Sequence, residues 1–247
     1  MNRLLIYSFF LLFCLTIKAQ TATEVITKAD AKMQGKTNRG MMIMTIIRPK
    51  WTREISMKVW AKGVDYSMVL ITEPSRDKGT GTLKRERELW SWQPSIDRII
   101  KMPPSMMMQS WMGSDFTNDD LVNQSSMVVD YSHEFISDTI IGNYDCWKIA
   151  MYPKEDAAVV WGKLEAYISK NDYFQLMIKY FDEDEFLVNT MKLSEIREMG
   201  GRTLPTRLEM IPAENSEQKT VVIYRDFEYD IELEERFFSL QNLKTIR

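Results

Sequence analysis

The sequence predicts a mainly β protein, one antiparallel meander introduced by a single helix. Three observations carry that prediction. Runs of β-branched, aromatic and methionine residues recur along the chain, turn signals punctuate nearly every join between them, and no Pro/Gly/Ser-rich linker divides the chain. At 247 residues, 228 once the first nineteen are set aside, the chain could form one large β domain or two small ones, and one is expected because all-β units reach this size undivided.

The first nineteen residues are expected to be a cleaved signal peptide and are set aside. Arg3 supplies a positive start, Leu4 to Leu15 an apolar run, and Ile17-Lys18-Ala19 a small residue before Gln20. Lipid anchoring at Cys14 is disfavoured because Phe13 stands where a small residue is needed. The apolar run is also shorter than the roughly 20 residues of a membrane span, and no later stretch reads as one, so residues 20–247 are expected in the periplasm as one domain. Removing Arg3 and Lys18 from 32 basic residues leaves 30 against 35 acidic ones, a formal charge of −5 that argues against a nucleic-acid partner. Cys146 is then the one remaining cysteine, read as a buried thiol.

Thr21 to Lys36 reads as a helix, with Val25, Ile26, Ala29 and Met33 at helical spacing and Thr21 and Glu24 forming a capping box. Met41 to Ile47, Ile55 to Trp60 and Val64 to Thr72 follow as strands. In the first, Met41/Ile43/Ile47 and Met42/Met44/Ile46 are both apolar, so neither face is expected to be fully solvated. Pro74 to Gly81 is a charged loop without a phosphate-loop ending. Thr82 to Glu88 and Leu89 to Trp92 form a charged strand or hairpin, and Ile96 to Met102 the next strand. The second half supplies seven more: Tyr131 to Ile141, Tyr144 to Tyr152, Val159 to Ser169, Phe174 to Phe181, Phe186 to Arg197, Thr203 to Ile211 and Thr220 to Tyr229. The acidic run Asp182 to Glu185 is a solvated hairpin tip. Phe237, Phe238 and Leu240 are expected to pin the C-terminal segment to the sheet.

Between Trp90 and Met112 lie Trp90, Trp92 and Trp111 with Met102, Met106, Met107, Met108 and Met112. Pro103-Pro104 cannot continue a strand ladder, so the methionine run is projected out of the sheet as a connection. Methionine repacks around apolar partners of differing shape. The stretch therefore reads as the flap of an apolar site, the alternative being an ordinary core strand with a covering loop. After it, Thr117 and Asp120 are spaced to cap a short helix. Calcium at Asp115, Asp119 and Asp120 lacks EF-hand spacing.

Catalytic chemistry finds little support. His133 is the only histidine, no nucleophile elbow occurs, and clustered zinc ligands are absent, so neither an enzyme nor a cofactor is expected. His133 itself reads as a surface strand residue. Copper(I) held by Met106, Met107, Met108 and Met112 is a weaker alternative.

Leu89-Trp90-Ser91-Trp92-Gln93-Pro94 resembles the Leu-Trp-x-aromatic-x-Pro strand of periplasmic carriers that move lipoproteins to the outer membrane. Trp60-Ala61-Lys62-Gly63, Pro74 with Gly79 to Leu83, and Gly113-Ser114-Asp115-Phe116 with Asp119-Asp120-Leu121 are similar to outer membrane lipoprotein-sorting proteins of the LolA-like class. The resemblance implies a single antiparallel sheet curved into an unclosed half β-barrel, with an N-terminal helix and a short helical lid over an apolar cavity for acyl chains. It implies a monomeric carrier of lipoproteins or lipids that passes cargo from an inner-membrane transporter to an outer-membrane acceptor. The ligand-binding residues expected from both arguments are Trp60, Met68, Trp90, Trp92, Met106, Met107, Met108, Trp111 and Met112, with Gly113, Ser114, Asp115, Phe116, Asp119 and Asp120 in the lid. The carriers' Arg-Pro at a strand start is matched here by Lys62-Gly63, which leaves the arginine that latches the lid without a counterpart. An interaction subunit of an envelope transporter, docking through the same apolar flap, is the reading from another class.

Overall fold

The computed structural model describes residues 20–122, 126–155, 157 and 159–246. The expected signal peptide and Cys14 lie outside these residues.

Helix α1 (Ala22–Gln34) opens the described chain. The Thr21 hydroxyl accepts from Glu24 N, and the Glu24 carboxylate accepts from Thr21 N at 3.0 Å, which satisfies two donors that a helix start leaves orphaned. Its apolar stripe, Ala22, Val25, Ile26 and Ala29, is buried.

Six strands then step outward as adjacent hairpins: β1 (Thr37–Arg48), β2 (Trp51–Lys62), β3 (Tyr66–Glu73), β4 (Gly81–Arg85), β5 (Glu88–Gln93) and β6 (Arg98–Met102). Pro94 to Ile96 forms a 3-10 turn, so β6 begins later than the sequence suggests. After residues 103–130, seven strands return toward the middle: β7 (Tyr131–Ile141), β8 (Tyr144–Pro153), β9 (Lys163–Ser169), β10 (Gln175–Phe181), β11 (Leu187–Met199), β12 (Arg202–Pro212) and β13 (Lys219–Tyr229). The resulting sheet of thirteen antiparallel strands has β6 and β7 at its edges, and β13 pairs with β1 in the centre through Ile43 and Ile223. It does not close.

That order makes the 103–130 connection topologically special. It leaves one edge and must reach the other, so it crosses the concave face that every other connection skirts. Within it lie two short helices, α2 (Asn118–Val122) and α3 (Ser126–Val129).

The two faces follow from the register. Met42 faces Met57, Val59 faces Val69, and Ser67 faces Lys84, which places these side chains on one surface. Met42 and Met57 pack in or against the main core, with α1, Met44, Ile46 and Leu208. Trp60, Met68, Leu83 and Trp90 alternate onto the other, convex surface. There they form a second cluster with Phe237, Phe238 and Leu243 from the C-terminal tail, whose helix α4 (Leu240–Thr245) is capped by Ser239. The tail thus pins to the sheet as expected. Ile43, on the convex surface, is only half-buried, whereas Met44 beside it is fully buried. The Cys146 thiol is buried.

Candidate functional site

The connection is held down at one point by a dense polar clamp. Arg48, at the end of β1, donates from Nη1 and Nη2 to the two carboxylate oxygens of Asp115, each at 3.0 Å, and from Nη2 to Gly113 O at 3.0 Å. Thr220 on β13 donates to Asp115 Oδ2 at 2.7 Å and accepts from Asp115 N at 2.9 Å. The Arg48 and Asp115 side chains are 14% and 8% exposed, so the pair is nearly dry and its two parallel bonds fix orientation as well as energy. Arg53 on β2 adds a bond to Met112 O at 3.3 Å. The arginine that bonds the lid in this structure is thus Arg48, not a residue at Lys62-Gly63. Lys62 instead pairs with Glu235 of the tail.

Inside the clamp the lid folds on itself. Trp111 N donates to Phe116 O at 2.8 Å, Asn118 N to Gln109 O at 2.9 Å, and Asp119 N to Met107 O at 3.0 Å. Met112 and Gly113 both take positive φ, which turns the chain sharply enough to send Trp111 and Phe116 inward together. Both rings are 6% exposed and belong to the main core. The Thr117–Asp120 capping box forms as expected, with Thr117 N donating to Asp120 Oδ2 at 2.7 Å. Trp161 Nε1 donates to the other Asp120 oxygen at 2.9 Å. Burial pushes the Asp120 carboxyl up, against the pull of those bonds.

Two cavities lie between lid and sheet. One, of about 80 Å³, is walled by Met42, Met44, Met57, Met127, Met191 and Phe116, with Asp119 and Asp120 at the lid side. The other, of about 110 Å³, includes Met33, Met57, Val59, Lys84, Trp111 and Phe227. Met42, Met57 and Tyr224 border both. At 10–15 Å³ per water-sized group, these hold roughly six and roughly nine such groups, so an acyl chain fills both only if the methionine partition repacks.

His133 bridges helix and lid rather than lying free on the surface. Its Nε2 meets Met127 O at 2.8 Å and its Nδ1 meets Thr23 Oγ1 at 3.1 Å, and burial lowers its pKa. Among the described residues, no group of three or more His, Cys, Asp or Glu is placed to hold a metal ion. Asp115, Asp119 and Asp120 are spent on the clamp, the cavity wall and the cap.

The expected binding residues divide. Trp111 and Phe116 enter the cavities, and Met112 packs against the core. Trp90 and Trp92 pack on the convex surface with the C-terminal tail, away from both cavities. Trp60 and Met68 border the second cavity but pack in that convex cluster. Met106 and Met107 are half-buried, and Met108 is 59% exposed. Their carbonyls, not their thioethers, tie the lid: Met106 O accepts from Asn118 Nδ2 at 2.9 Å. Gly113 is exposed and Ser114 is buried within the lid turn. Sequence reasoning missed Arg48, Thr220, Met57, Tyr224 and Lys84.

A family model described as "-like: Uncharacterized protein" matches residues 63–245. The chain belongs to that family. No curated protein matches it. Among solved structures, it is similar to a DUF1329 family protein from Desulfovibrio piger, at 19% identity and a TM-score of 0.82 over 90% of this chain and 97% of that one. A LolA superfamily protein from Nitrosomonas europaea gives 21% and 0.79 over 91% and 100%. A putative outer membrane lipoprotein-sorting protein domain from Vibrio parahaemolyticus gives 17% and 0.79 over 90% and 98%. The fold is LolA-like, an unclosed antiparallel sheet with helices over its concave face, as the sequence resemblance implies.

Proposed function

We propose that this protein is a non-enzymatic periplasmic carrier that shields acyl chains of lipoproteins or other lipids between lid and sheet. The observation that carries the reading is the clamped lid over methionine-walled cavities. An apolar interior with adaptable walls, crossed by one segment whose densest polar fastening is the Arg48–Asp115 clamp, is a container with a door. Burying a chain of fourteen carbons at about 0.8 kcal/mol per methylene grosses on the order of 10 kcal/mol, enough to offset lid displacement and the cost of immobilising the chain. In this reading the lid opens when the Arg48–Asp115 clamp breaks. The LolA-like neighbours support a role in lipoprotein traffic, and the leader-like first nineteen residues support the periplasm.

The test is equilibrium binding of a fluorescent acyl probe to delipidated protein lacking residues 1–19. Saturable binding that is competed by an unlabelled acyl chain and quenches Trp111 at the second cavity supports the carrier. Absence of saturable binding removes it and favours a subunit that docks on an envelope transporter.

A further inference from the structure

The second cavity contains a charge that an acyl chain alone does not explain. Lys84 lies on the concave surface of β4, 6% exposed, between Ser67 on β3 and Leu89 on β5. It lines the cavity, and among the described residues its ammonium has neither a hydrogen bond nor a carboxylate within 4.0 Å. Three acidic residues, Asp65, Asp119 and Asp130, act on it from farther away, while burial pulls its pKa down. A buried ammonium without a counter-ion is costly, and an anion bound beside it in the cavity would relieve that cost.

The register gives the cavity a direction. Asn38, Ala61, Ser67 and Lys84 form one cross-strand row, three of them polar and all four on the cavity wall. That row lies beside the β2–β3 turn, where exposed Val64 also lines the cavity, so this end is next to solvent. Met42 and Met57 lie four residues further along their strands, about 14 Å at the rise of a strand residue, at the partition to the first cavity. Polar at the mouth and apolar in depth, the cavity is graded along its axis.

We propose that the second cavity takes an amphiphile with an anionic head, a carboxylate or a phosphate, whose head pairs with Lys84 while its chain runs past Met42 and Met57. This rests on the carrier reading and specifies its ligand. The Lys84 ammonium supplies a charge-assisted hydrogen bond at the cavity mouth, and the neighbouring Ser67 hydroxyl is available as a second donor. A neutral head can accept a hydrogen bond from the ammonium but leaves it without a counter-charge.

The experiment compares hexadecanoate, hexadecyl phosphate and hexadecanol as competitors of a fluorescent hydrocarbon probe bound to the wild-type protein and to Lys84→Met. At least one anion should displace the probe at about tenfold lower concentration than the alcohol, the equivalent of 1.4 kcal/mol. The better anion identifies the head as carboxylate or phosphate. Lys84→Met should abolish the preference, so that neither anion displaces the probe better than hexadecanol does. Equal displacement by all three from the wild type, or a preference that survives in Lys84→Met, overturns the head-group assignment while the carrier reading stands. Failure of the probe and of all three amphiphiles to bind overturns both.

Discussion

Asp115→Asn should unlatch the lid without unfolding the sheet. The side chain keeps its size but loses the charge that receives two 3.0 Å bonds from Arg48. Removing one partner of a buried pair costs about 3–5 kcal/mol. Arg48 retains its bonds to Gly113 O and Ile47 O, which offset part of that, so about 2–3 kcal/mol is the expected loss. Because the clamp joins the lid to β1 and β13 at one place, the loss falls on lid opening, a sub-global event. Native-state hydrogen exchange reads it directly: the Trp111, Asn118 and Asp119 amides, bonded within the lid, should exchange about 30- to 150-fold faster. Amides of β8 to β10 should keep their rates. Unchanged lid protection, or equal acceleration throughout the sheet, would refute the idea that Arg48 and Asp115 hold a separately opening element.

Other consequences are quicker to check. Met44→Asp places a carboxylate in the fully buried concave core and should prevent folding or cost several kcal/mol, whereas Met108→Asp on the exposed lid surface should leave the thermal midpoint within experimental scatter. Asp30 on α1 has its carboxyl raised by burial to about 7 against an ordinary 3.8, so its neutral form is the one the fold favours. Its contribution is intact below pH 3.8 and is lost as pH rises toward 7, with a ceiling of about 4 kcal/mol. Asp30→Asn should therefore raise the midpoint at pH 8 and leave it unchanged near pH 4, and equal shifts at both would count against that burial. Gly40→Ala should cost about 1–3 kcal/mol by urea unfolding, because a Cβ there would sit 2.4 Å from the Phe227 ring at the cavity wall.

Much of the fold was legible because local chemistry and global topology agree in this chain. Turn residues between β-rich runs mark most of the strands to within a few residues, the exception being the β4–β5 hairpin, which Thr82 to Trp92 leaves open as one strand or two, and Thr21 with Glu24 and Thr117 with Asp120 announce their caps. The faces were less legible. Alternation puts Trp90 and Trp92 on one surface, but that this surface is the convex one depends on Phe237, Phe238 and Leu243 returning from the far end of the chain to cover it. Arg48 gave no local signal, since its partner lies 67 residues away on the lid. Lys84 was hidden differently: it opens the charged run Lys84-Arg85-Glu86-Arg87-Glu88, whose composition reads as solvated, and only the pairing with Ser67 turns it inward. The methionine run was conspicuous by composition, yet the methionines that wall the cavities are mostly scattered singly over the strands.

The central claim is that acyl chains occupy the space between lid and concave sheet, and photo-crosslinking with a diazirine-bearing acylated lipopeptide tests it most directly. Mass spectrometry of the adducts should place them on Met42, Met57, Trp111, Phe116 and Tyr224, the side chains bordering the two cavities. Adducts concentrated on Trp90, Trp92 and Phe237 would put the ligand on the convex surface and contradict the account.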